Sequence, residues 1–171
     1  MKTTGIFIFF TFGIILILDI IYSVIGGYQY SKDYSSYWEL SVKASSITKK
    51  IEGIDKFVAA LESSPLRGKY DALFMETPNN SFDENFAALK SLQIRLHEIS
   101  GMDITSFQYQ TALAQITQQE QNESGKMLDV FDGIWWKDNH FFLWNWIGII
   151  NVIGSIILMC IGGFIWMNES L

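Results

Sequence analysis

The chain has 171 residues, 49% of them hydrophobic and 15% aromatic, with a formal net charge of −6 at neutral pH. The length suits one ordinary soluble domain, but the apolar share and positive mean hydropathy are high for one. Residues 28–140 carry 11 Lys and Arg against 16 Asp and Glu, a net of −5, which speaks against binding nucleic acid or docking on anionic lipid.

The hydrophobic excess lies at the two ends. Residues 5–25, "GIFIFFTFGIILILDIIYSVI", form a 21-residue run with one charge, Asp19. A hydrocarbon core needs about 20 helical residues to cross, so this run is a predicted span. A cleaved signal peptide is the rival reading. It fits worse: only Lys2 precedes the run, the run exceeds the usual ~7–15 residues, and no A-x-A-like site follows. Residues 1–27 are therefore read as a signal anchor.

Beyond the anchor, Tyr30, Tyr34, Tyr37, Ser41, Ala44, Ile47, Ile51, Ile54, Val58 and Leu61 recur at threes and fours. That spacing predicts one long helix over 30–61 with a single apolar stripe. "SSP" at 63–65 ends it, because proline disfavours helix in the residue before it. Ser81 followed by Glu84 is a capping-box pattern. It opens a second helix through Ser100, striped by Phe86, Leu89, Leu92, Leu96 and Ile99, with Gly101 as its stop. Asp103 is the expected cap of a third helix, which runs past Leu113, Ile116, Phe131 and Ile134 and on into the second apolar run. That run, residues 141–167, has 27 residues and no charge.

The expected fold is an all-α membrane protein, a hairpin of two transmembrane helices flanking an extramembrane three-helix bundle whose outer helices continue the spans. The domains are 1–27, 28–140 and 141–171. Lys2 and the amino terminus favour cytoplasmic termini with the bundle outside, in a plasma or equivalent energy-transducing membrane.

Four groups of residues stand out. Asp19 lies inside the first span, and Asn145 and Asn151 bracket its depth on the second, so an intramembrane polar contact is expected. Gly148, Ser155 and Gly162 share one face of the second span, where small residues let helices approach closely in lipid. Trp38, Trp135, Trp136, Trp144 and Trp146 flank the spans, and indoles favour the headgroup layer. Ser41 and, on the return helix, Glu120 and Ser124 interrupt the apolar stripes at one height, roughly 25–30 Å above the membrane at 1.5 Å per residue. They form a candidate polar layer.

No catalytic residues, metal or cofactor are predicted. The chain lacks the phosphate-loop, dinucleotide, nucleophile-elbow, paired-cysteine and zinc-helix motifs. His97 sits at a helix edge, and no glutamate precedes it at the spacing of di-iron bundles. Contact with a pigment or quinone through His140 is the weaker reading of the tryptophan-rich stretch, since an axial ligand belongs within the span and His140 precedes it. The expected function is a non-catalytic accessory or scaffold subunit of a larger integral-membrane complex, its partners being other membrane subunits and the bilayer. The alternatives are an extracytoplasmic sensing module that signals through a partner, and a subunit contributing Asp19 to a proton or ion pathway.

Overall fold

The computed structural model describes residues 2–67, 77, 79–136 and 146–168. They are helical, with no strand among them. The helices are α1 (Lys2–Tyr30), α2 (Ser36–Val42), α3 (Ile47–Ser63), α4 (Phe82–Ser100), α5 (Phe107–Trp135) and α6 (Trp146–Asn168). A π-helical turn, Ser31–Ser35, joins α1 to α2. Two helical stretches, Thr3–Val42 and Gly148–Asn168, are long and apolar enough to cross a membrane. The chain divides into two compact units: Met1–Tyr28 with Asn139–Leu171, and Gln29–Asp138.

The single helix expected over 30–61 does not form. Its pattern runs through a break at residues 43–46, where α2 ends and α3 begins. Ser45 and Ser46 are poor helix continuers because their hydroxyls compete for backbone groups. Ser46 caps α3 instead, accepting from the Lys49 backbone N–H at 3.4 Å. The chain then folds back on itself. Ser41 Oγ, fully buried, donates to the Lys50 carbonyl at 2.9 Å. A Cβ on Gly53 would lie 2.8 Å from Ser41 Cβ and 2.9 Å from the Tyr37 carbonyl oxygen. Only glycine allows the α2 and α3 backbones to come so close. The expected count of three helices between the spans is corrected accordingly, because the first of them is two helices packed together.

Within α3 the predicted stripe does hold: Ile51, Ile54, Val58 and Leu61 are buried, joined by Phe57. In α4, Leu89, Leu92, Leu96 and Ile99 are buried, and Ser81 accepts from the Glu84 N–H at 3.2 Å. The start of α5 is shifted from the expected cap. Asp103 binds the Thr105 N–H and hydroxyl at 2.9 and 2.8 Å, closing a turn of its own. Ser106 is the N-cap, accepting from Tyr109 at 3.1 Å.

The core of the second unit is aromatic. Trp38 meets Phe57 at 6.1 Å between ring centres, Phe57 meets Phe131 at 5.9 Å, and Phe131 meets Phe82 at 5.6 Å, all edge to face. One chain of rings thus draws on α2, α3, α5 and α4. Around it, Asp55 on α3 takes hydrogen bonds from Gln93 at 2.7 Å and from His97 at 3.0 Å, while Glu62 pairs with Lys90. Residue numbers rise along α4 as they fall along α3, so the two run antiparallel.

Candidate functional site

In the first unit α1 and α6 pack along a seam with three features. At one end, a Cβ on Gly162 would lie 2.7 Å from the Phe9 backbone nitrogen and 3.0 Å from the Gly5 carbonyl oxygen. One on Gly5 would lie 2.9 Å from the Trp166 nitrogen. The two backbones touch there, and Phe9 packs beside Trp166 with ring centres 6.0 Å apart. Further along, Gly13 faces Met159. Then comes the polar contact: Asn151 Nδ2 donates to Asp19 Oδ2 at 3.0 Å. These contacts climb α1 as they descend α6, an antiparallel order. Gly148, Ser155 and Gly162 all lie buried on α6. Ser155 is 2% exposed and its hydroxyl has no partner among the described residues.

Sequence reasoning singled out the small residues of α6 and Asp19 of α1, and missed the glycines of α1 that lie against α6. Gly5 and Gly13 stand eight apart, the same side of a helix two turns on, and that spacing was the available signal.

The structure separates the other groups. Trp38, Trp135 and Trp136, expected as interfacial side chains, are instead enclosed by protein. Trp38 is 4% exposed against Phe57, and Trp135 packs between Tyr30 and Trp136 at 5.6 and 5.1 Å. For Trp38 the reason is the π-helical turn at Ser31–Ser35. It inserts an extra residue and rotates the following helix, turning Trp38 into the core. Trp144 and Asn145 lie outside the described residues, as do the side chains of Trp146, Glu120 and Ser124. Ser41 faces α3, not the return helix, and its hydroxyl is already committed to the Lys50 carbonyl. The polar layer loses that member.

Two features of the second unit lay outside the expectations. Tyr30 is buried among Tyr34 and Trp135, and its hydroxyl finds no partner among the described residues. Nearby, burial pushes the Asp132 carboxyl above its ordinary value; Trp136 opposes this by hydrogen bonding, and the charge of Asp129 adds to it. At the opposite end lie exposed apolar side chains, among them Leu40, Val42, Met102, Ile104 at 65% and Phe107 at 84%. The antiparallel pairing of α3 with α4 brings the turn at 43–46, which follows Leu40 and Val42, to the same end as the turn at 101–106, which carries Met102 and Ile104 and leads into Phe107. Among the described residues, no three His, Cys, Asp or Glu side chains gather closely enough to hold a metal ion. Compared with known protein families, curated proteins and solved structures, the chain matches none.

Proposed function

We propose that this chain is a non-catalytic accessory subunit of an integral-membrane assembly. In this reading α1 and α6 form a transmembrane hairpin, the second unit is a helical bundle outside the membrane, and both termini are cytoplasmic. The observation that carries it is the apolar end of the second unit. Phe107 opens α5 with its ring almost wholly in solvent, next to exposed Ile104 and Met102. Several large apolar side chains exposed at one end of a water-facing domain mark a contact site for protein or membrane, and aromatic side chains anchor such contacts. The lipid-like seam of α1 and α6 supports the membrane setting, since helices in lipid associate through small residues and interhelical hydrogen bonds.

The test is purification from the native membrane in mild detergent, with mass determination of everything that co-migrates at fixed stoichiometry. A defined complex that dissolves on Phe107→Asp, while the variant keeps its helical circular dichroism, is the expected result. A monomer that persists at every detergent concentration overturns the proposal.

A further inference from the structure

Asp19 is half-buried beside α6, and a single hydrogen bond, from the neutral amide of Asn151, reaches it among the described residues. That amide fixes the side chain's position and brings no charge of its own. Neither apolar run, 5–25 or 141–167, contains a Lys, Arg or His. A charged acid at the centre of a span costs about 2.5–3.5 kcal/mol on insertion scales, and ionisable side chains in spans face protein and pair with other ionisable groups or with backbone carbonyls. The counter-charge is therefore missing from this chain's own spans.

The surface around Asp19 is open on one side. Ser23 and Gly27 follow it at four-residue intervals along α1, and both are exposed. A Cβ placed on Gly27 would meet nothing within 4 Å. Gly26, one position away, is buried. Asp19, Ser23 and Gly27 thus form a stripe that combines a carboxylate with the small-xxx-small spacing that admits a close helix neighbour. Gly5 and Gly162 make the corresponding close approach on the side already occupied by α6.

We propose that this stripe docks a transmembrane helix of a partner subunit, which brings a lysine or arginine to Asp19. The inference rests on the membrane-subunit reading and adds the chemistry of the partner. Charge complementarity selects the occupant: a second copy of this chain would bring another carboxylate to the same depth, and a purely apolar helix would leave the existing one uncompensated.

The test uses the full chain in phosphatidylcholine vesicles with fluorescent probe peptides. Each probe is a polyleucine transmembrane helix, carrying at mid-span either one lysine, one aspartate or leucine throughout. Flotation of the chain with carbonate-washed vesicles is checked first. Failure to float overturns the membrane-subunit reading, and this inference with it. Given flotation, energy transfer is expected to show the lysine probe binding about tenfold more tightly than the all-leucine probe, the range of polar contacts between model helices. Asp19→Asn, which keeps a partner for Asn151, should reduce the lysine probe to the all-leucine level. Asp19→Lys should transfer the preference to the aspartate probe. Equal binding of the lysine and leucine probes to the unaltered chain overturns the inference while leaving the subunit reading intact, and that comparison requires no variant of the protein. Self-association that is abolished by Asp19→Asn and unaffected by the lysine probe overturns it in favour of a second copy.

Discussion

In the second unit, helices are held apart at ring width by Trp38, Phe57, Phe131 and Phe82, whose edges interlock between four helices. In the first unit, α1 and α6 touch backbone to backbone at Gly5 and Gly162, and one amide–carboxylate bond joins them further along. The large side chains of α1, including Phe7, Ile17 and Val24, point away from the seam and are exposed. In the proposed membrane setting, the difference reflects what each surrounding rewards. In water, burying large apolar groups is the main source of stability. In lipid that gain is absent, since the tails are as apolar as leucine, and close packing with interhelical hydrogen bonds takes its place. The contrast within one chain is what the proposed membrane setting requires.

The strongest way to break this comparison is at Phe131, which is fully buried and contacts rings from both α3 and α4. Phe131→Ala is expected to cost the second unit about 3–5 kcal/mol. Denaturant unfolding in detergent, followed by tryptophan fluorescence, reads that loss. Energy transfer between α1 and α6 should stay unchanged.

Enlarging a seam glycine does the reverse. Gly162→Leu places atoms where the Phe9 nitrogen lies 2.7 Å from the first added carbon, and overpacking of this kind costs about 1–3 kcal/mol. Energy transfer between α1 and α6 should fall while the second unit's unfolding midpoint holds. Gly53→Ala makes the same intrusion between α2 and α3, and there the midpoint should fall. If Gly162→Leu leaves α1 and α6 together, close backbone approach is not what pairs them.

A smaller effect belongs to the polar contact. Asn151→Leu removes the bond to Asp19, and membrane hydrogen bonds between helices average about 0.6 kcal/mol. The association of α1 with α6 should weaken to that extent without dissociating. A loss as large as that of Gly162→Leu would make the polar pair, and not the glycines, the principal fastener.

The smallest effect sharpens the comparison through pH. Asp132 has a native pKa raised by burial, so its contribution favours folding below the ordinary value of 3.8 and is lost as pH rises through the raised one. Asp132→Asn should therefore stabilise the second unit at neutral pH, the gain vanishing below 3.8. Asp55 behaves oppositely. Partial burial raises its pKa, but the hydrogen bonds from Gln93 and His97 outweigh this and hold it low. Asp55→Asn should destabilise at neutral pH, and the difference should fade as acid protonates the native carboxylate. Thermal melts of both variants at several pH values check the two signs. A common sign would mean that burial, and not the partner of each acid, governs both groups.

Much of the secondary structure was legible because it rests on local chemistry. The serine at 81 and the leucine stripe of α4 state a helix through short-range hydrogen bonds and a 3.6-residue period. The break at 43–46 was missed for a related reason. Ser41, Ala44 and Ile47 keep helical spacing across it, and periodicity does not register that Ser46 is better placed as a cap than as helix interior. The sign of that fold-back was Gly53, whose role appears only when the α2 backbone lies against it. Trp38 was misplaced because the π-helical turn shifts the register ahead of it, and composition around an aromatic does not state whether water, lipid or another ring covers it.

The sequence by itself determined that two segments are long and apolar enough to cross a membrane, that helical periodicity dominates between them, and that Asp19 is the one acid within the apolar runs 5–25 and 141–167. These follow from length, hydropathy and period, which are properties of the chain before it folds. Tertiary structure alone decided that Asn151 makes the expected contact with Asp19, that Gly5 answers Gly162, and that four rings from four helices form one core. Each of those pairs joins residues distant in sequence, and the free energy that selects them exists only once both surfaces are present.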